Sequence, residues 1–150
     1  MLKVEERGAE ETSKHLREIG ERSLDARPAM RRIREIMEKG NRRNFESRGG
    51  YFGSSWDGLA DSTRERKARR GQSSTPLRAT GALKSSLSGG KGRRGGATRS
   101  SARAGTSIWY AVFAEAGTTK APKREIVGIS KRDLERSEKL LENFLTSGRL

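Results

Sequence analysis

The sequence predicts an α+β fold: a small antiparallel sheet packed against helices, with N-terminal helices, a C-terminal helix and a long flexible basic hairpin between them. Three observations predict it. Apolar residues at helical spacing occur toward both ends of the chain, one strongly β-forming aromatic run lies in the second half, and the strand-like segments are too few to close a barrel. The length of 150 residues fits one core, since single domains typically hold about 100 to 150 residues.

The first helix is expected from about Glu5 to Ser23. Glu, Lys and Arg dominate it, and Leu16 and Ile19 are its few apolar points, so it reads as a solvated helix covering residues 1–27. The remaining 28–150 form the expected α+β domain. Pro28 suits the first turn of a second helix, and Met30, Ile33, Ile36, Met37 and Phe45 follow at three-to-four-residue spacing. Gly40-Asn41 interrupts this pattern without ending it, and Gly49-Gly50 stops it.

Tyr51, Phe52 and Trp56 then fall in a glycine-flanked loop, which predicts rings docked on the core while the backbone turns. Asp61, Ser62 or Thr63 can cap a short cationic helix through Arg70 that Gly71 terminates. The run Leu77 to Leu87 is expected as a turn-like element leading into a strand. Between 88 and 105 the composition collapses to Gly, Ser, Ala, Thr, Lys and Arg, which buries too little apolar area to offset its ordering entropy, so a flexible arm is expected.

Thr106 to Phe113 carries Ile108, Trp109, Tyr110, Val112 and Phe113 and is expected as a central strand, with Glu125 to Ile129 as a second. Ser130 through Asp133 has the pattern of a capping box. Leu134, Leu141, Phe144 and Leu145, with Leu140 at the edge, give the last helix a buried face.

Charge placement bears on function. Hydrophobic residues are 31% of the chain, charged ones 35%, and the formal net charge is +14. Residues 1–65 hold 14 basic and 13 acidic side chains, 66–114 hold 11 and none, and 115–150 hold 8 and 6, for net charges of +1, +11 and +2. An acid-free cationic segment expects a polyanion or an acidic protein surface.

The absence of Cys removes disulfides, thiolate nucleophiles and Cys-ligated zinc. His15 is the only histidine, which excludes a histidine triad or a multi-His metal site. No serine has an evident paired base, and Ser88 to Gly96 lacks the Gly-Lys-Ser/Thr ending of a phosphate loop. No catalytic residue, metal or cofactor is expected. No apolar run approaches the roughly 18 to 20 residues of a membrane span, and the first residues lack a signal-peptide apolar region, so a protein made in the cytoplasm and without a membrane partner is expected.

Several landmarks, taken in order, carry a resemblance. They are Trp56-Asp57-Gly58-Leu59, Ser62-Thr63 with Arg66-Lys67, the run Leu77 to Leu87, Tyr110-Ala111, Glu115-Ala116-Gly117, Pro122-Lys123-Arg124 and Gly128-Ile129-Ser130. Together they resemble the phage virion morphogenesis, or tail-completion, family of head–tail joining proteins with Mu-like and lambdoid relatives. Two positions depart from it: Ala114-Glu115-Ala116 stands where the family has His-Gln before the glycine, and Glu125 stands where it has an apolar residue.

The resemblance implies a virion protein added at the head-proximal end of the tail. Relatives form hexameric rings around the DNA channel, with the tail tube protein and the head–neck connector as neighbours. The same setting admits an adaptor or stopper at another level of the neck. From charge alone, a nonspecific nucleic-acid-binding accessory protein is the rival reading.

Two sets of residues are candidates for function. The basic arm, Lys84, Lys91, Arg93, Arg94, Arg99 and Arg103, has three open roles: phosphate contacts to genomic DNA, contact with an acidic neighbour, or a solvated tip. No aromatics interleave with these cations, so any DNA contact would be sequence-blind. Phe52, Trp56, Trp109, Tyr110, Phe113 and Phe144 are the candidate core or interface anchors.

Overall fold

A computed structural model describes residues 8–150. Its element order is α1 (Ala9–Leu24), α2 (Arg27–Glu46), a 3-10 turn (Gly50–Phe52), α3 (Asp61–Arg69), α4 (Ala82–Leu87), β1 (Arg93–Arg94), β2 (Gly105–Thr106), α5 (Ala111–Ala116) and α6 (Lys131–Ser147). The fold is α+β, helix-dominated, with one two-stranded antiparallel sheet among the described residues. The part of the expected first helix before Gly8 lies outside the described residues.

The long helices follow their sequence signals. α1 has no buried residue, as its polar composition predicts. Pro28 sits in the first turn of α2, where its missing N–H costs nothing, and the helix passes through Gly40 and Asn41 without a break. Gly40 is tolerated because α6 comes close there: a Cβ on it would lie 2.9 Å from the Asp133 carboxylate. Ser130 caps α6 by accepting from the Asp133 N–H at 3.2 Å.

Two apolar clusters hold these helices. Phe45, Trp56, Leu83, Leu87, Ala111, Ala114 and Ile126 form the larger one, with Phe45 and Trp56 edge to face at 5.1 Å. Ala26, Ala29, Met30 and Phe144 form the second, where α6 lies on α2. Leu140, Leu141 and Leu145 line it half-buried, whereas Leu134, expected on this face, is 45% exposed. Full burial of a side chain such as Phe45 or Leu87 contributes about 1.5–3 kcal/mol.

Both expected longer strands are corrected. The segment Thr106 to Phe113 contributes only Thr106 to the sheet; it then turns at Trp109-Tyr110 and enters α5. Ile108, Ala111 and Ala114 recur at three-residue spacing and pack inward, and this helical face prevails over the β propensity of the bulky residues between them. Glu125 to Ile129 has no strand partner. Its backbone is satisfied by side chains instead: Glu115 accepts from the Ile126 N–H at 2.8 Å, and Asn44 and Trp56 both donate to the Glu125 carbonyl.

The basic hairpin is present. Arg93 pairs with Thr106 and Arg94 with Gly105, and an isolated bridge joins Ala97 to Ala102. Its tip rests on the protein: Ala97 and Ala102 pack on the second cluster, and the Arg99 carbonyl accepts from the Ala26 N–H at 3.0 Å.

Candidate assembly surfaces

The first surface is an aromatic ledge. The Thr106 hydroxyl accepts from the Ile108 N–H at 3.0 Å and starts the turn, and the Ile108 carbonyl accepts from the Ala111 N–H at 3.1 Å to lead into α5. Since Ile108, Ala111 and Ala114 face the core, Trp109, Val112 and Phe113 share the opposite face at i, i+3 and i+4. Trp109 is 76% exposed, Val112 59%, Phe113 50% and Tyr110 38%. Trp109 stacks edge to face with both Tyr110 and Phe113, at 5.9 and 5.8 Å between ring centres. No charged residue lies between Arg103 and Glu115, the longest uncharged stretch of the chain. Large apolar groups exposed side by side are the kind of surface through which proteins associate.

The other candidate anchors lie elsewhere. Trp56 and Phe144 are buried, and Phe52 is half-buried beside Tyr51. These three act in packing, so the six aromatics divide into an internal group and the exposed trio Trp109, Tyr110 and Phe113.

The basic candidates divide too. Lys84 donates to the Glu46 carboxylate at 2.8 Å, and this hydrogen bond, against a smaller opposing effect of burial, holds the Glu46 carboxyl below its ordinary value. Arg93 approaches the buried Glu38 carboxylate at 3.8 Å, next to Arg34 at 3.5 Å. The acids of α2 thus reach into the acid-free segment and neutralise part of it. Lys91, Arg94, Arg99 and Arg103 are exposed and belong to no ion pair among the described residues. Lys67, from the same segment, is turned inward: it donates to the Thr75 carbonyl at 2.9 Å, and burial pushes its ammonium below the ordinary lysine value.

Sequence reasoning missed Arg43, Tyr51 and Asp133. Arg43 donates to the Tyr51 hydroxyl at 3.2 Å, which donates to Asp133 Oδ2 at 2.8 Å across 82 residues. The hydrogen bond to Tyr51, followed by the electrostatic influence of the same group, holds the Arg43 guanidinium above its ordinary value. Arg43 and Tyr51 meet through the turn after α2, and the packing of α6 on α2 brings Asp133 to them.

No group of three or more potential metal ligands occurs among the described residues, and no helix described is long and apolar enough to cross a membrane. The prominent features are surfaces: an uncharged aromatic ledge and exposed cations on a helix-rich scaffold.

The model of the phage virion morphogenesis family matches residues 8–146. The chain belongs to that family, and it is a bacteriophage structural or assembly protein and a virion component. No curated protein and no solved structure matches it.

Proposed function

We propose that the chain completes the phage tail by forming a hexameric ring at its head-proximal end, around the DNA channel and between the tail tube protein and the head–neck connector. It acts by geometry and not as an enzyme. The observation that carries this reading is the uncharged ledge of Trp109, Val112 and Phe113 on a chain of net charge +14. Copies so charged repel one another, so a contact between them favours a neutral, apolar patch.

The ledge, not a sheet edge, is the proposed contact. β1 and β2 are two residues each, which leaves little backbone for pairing with a neighbouring strand. If the ledge meets a different surface of the next copy, the contact is heterologous and closes into a ring when the rotation permits. Arg94, Arg99 and Arg103 then stand as candidates to face DNA in the lumen, through nonspecific, salt-sensitive phosphate contacts. Their exposure also favours a second reading, a nonspecific nucleic-acid-binding accessory protein.

Electron microscopy of the purified chain and of assembled particles tests the proposal. A six-membered ring at the top of the tail supports it. A strict monomer in both overturns it, and a ring placed lower or higher in the neck makes the chain an adaptor or stopper.

A further inference from the structure

We propose that the groove between α2 and α6 is a docking site for an acidic, amphipathic segment of a different protein. This is independent of ring formation and of the aromatic ledge.

The groove is a chain of adjoining hollows. Arg43, Tyr51, Arg132, Arg136 and Lys139 line one of about 590 Å³. Two others, of about 270 and 290 Å³, share Arg136 and Leu140 and continue it along α6, with Ile36 and Leu150 as further apolar lining. Walls with more cations than acids, the acids being Glu35, Asp133 and Glu135, therefore flank an apolar strip of Leu140 and Leu150. Arg132, Arg136 and Lys139 are exposed and enter no ion pair among the described residues. Surplus positive charge is thus available to an incoming ligand.

One wall is preorganised. The chain of hydrogen bonds from Arg43 to Tyr51 to Asp133 fixes the phenol against α6, and the Arg43 guanidinium lies 5.6 Å from the centre of the Tyr51 ring. Asp133 itself is 3% exposed, held by the N-terminal turn of α6 and by Tyr51. A fixed guanidinium loses less freedom when it captures a carboxylate than a mobile one does.

The lining chooses among occupants. A nucleic-acid backbone would leave the strip of Leu140 and Leu150 without an apolar partner. A polypeptide meets both demands, with carboxylates on the cationic walls and apolar side chains on the strip. Another copy of this chain supplies the charge poorly, since its most acidic helix, α1, sets four Glu against one Lys and two Arg and α6 sets four acids against four bases. The complementary charge belongs to an acidic partner.

A fluorescent peptide of about 16 residues, with Glu and Leu at helical spacing and a length near that of α6, is the probe. Fluorescence anisotropy with the full chain should show binding that weakens about tenfold or more in Arg136→Glu/Lys139→Glu. Arg66→Glu/Arg69→Glu on α3 should bind as the unmodified chain does. Unchanged binding in the first variant, or an equal loss in both, overturns the proposal, as does displacement of the peptide by duplex DNA of equal charge at equal or lower concentration. If the groove variant does not fold, amide NMR of the unmodified chain decides. Peptide-induced shifts confined to residues 32–51 and 132–150 support the groove, and shifts centred on Arg94 to Arg103 overturn it.

Discussion

Asn44 and Trp56 donate to the same backbone carbonyl, that of Glu125, through Nδ2 at 2.9 Å and Nε1 at 3.1 Å. Asn44 is fully buried in α2, and its Oδ1 accepts from the Phe52 N–H at 3.1 Å. One amide thus joins the long helix, the aromatic loop and the segment after Pro122. Replacing Asn44 with Leu should remove one of two acceptors of the Phe52 N–H, which keeps the Gly49 carbonyl at 3.1 Å, and one of two donors to the Glu125 carbonyl, and the two lost hydrogen bonds should together cost about 1–3 kcal/mol, read from urea unfolding midpoints. A change below about 0.5 kcal/mol would mean that the amide does not hold these segments.

Gly49 turns the chain from α2 toward that loop with φ of 92°, and a Cβ there would collide with the Ser54 carbonyl and the Trp56 ring. Gly53 has a similar φ of 95° but open space around it. Gly49→Ala should therefore destabilise by more than Gly53→Ala, whose cost is confined to backbone conformation at about 1 kcal/mol. Equal thermal unfolding midpoints for the two variants would count against the packing described.

The Glu46 carboxyl, held down chiefly by its hydrogen bond from Lys84, should titrate below the ordinary glutamate value in carboxyl NMR. A folded value below the unfolded one makes this contribution to stability present above the unfolded value and lost as pH falls through the folded one. In Lys84→Met the Glu46 midpoint should rise toward its ordinary value. An unchanged midpoint would show that the contact is absent in solution.

The basic hairpin supplies a prediction about order. Gly96 N–H and Arg103 N–H exchange hydrogen bonds with each other's carbonyls, and Ala26 N–H is bonded to the Arg99 carbonyl. Hydrogen exchange should protect all three amides. Exchange at unprotected rates would restore the free arm that the composition of 88–105 predicts.

That difference shows which information was local. α1, α2 and α6 were legible because capping, Pro28 and apolar periodicity act within a few residues of each other. The hairpin tip was not, because Ala97 and Ala102 gain their burial from Met30 and Phe144, far away in sequence. At Thr106 to Phe113 the bulky residues suggested a strand while small Ala111 and Ala114 set a helical face, a signal present in the sequence but outweighed by propensity. Trp109 and Phe113 stood out as candidate anchors by their size, but whether they face the core or solvent depends on that choice of period. The Arg43, Tyr51 and Asp133 chain had no sequence signal, since it requires the register of α6 on α2.

The central claim is that identical copies associate through the aromatic ledge. Sedimentation velocity at about micromolar concentration, comparing the unmodified chain with Trp109→Ser/Phe113→Ser, tests it most directly, because exposed hot-spot aromatics dominate association and contribute little to folding. The account predicts a six-copy species for the unmodified chain and a folded monomer for the variant. A variant that still sediments as the hexamer would contradict it.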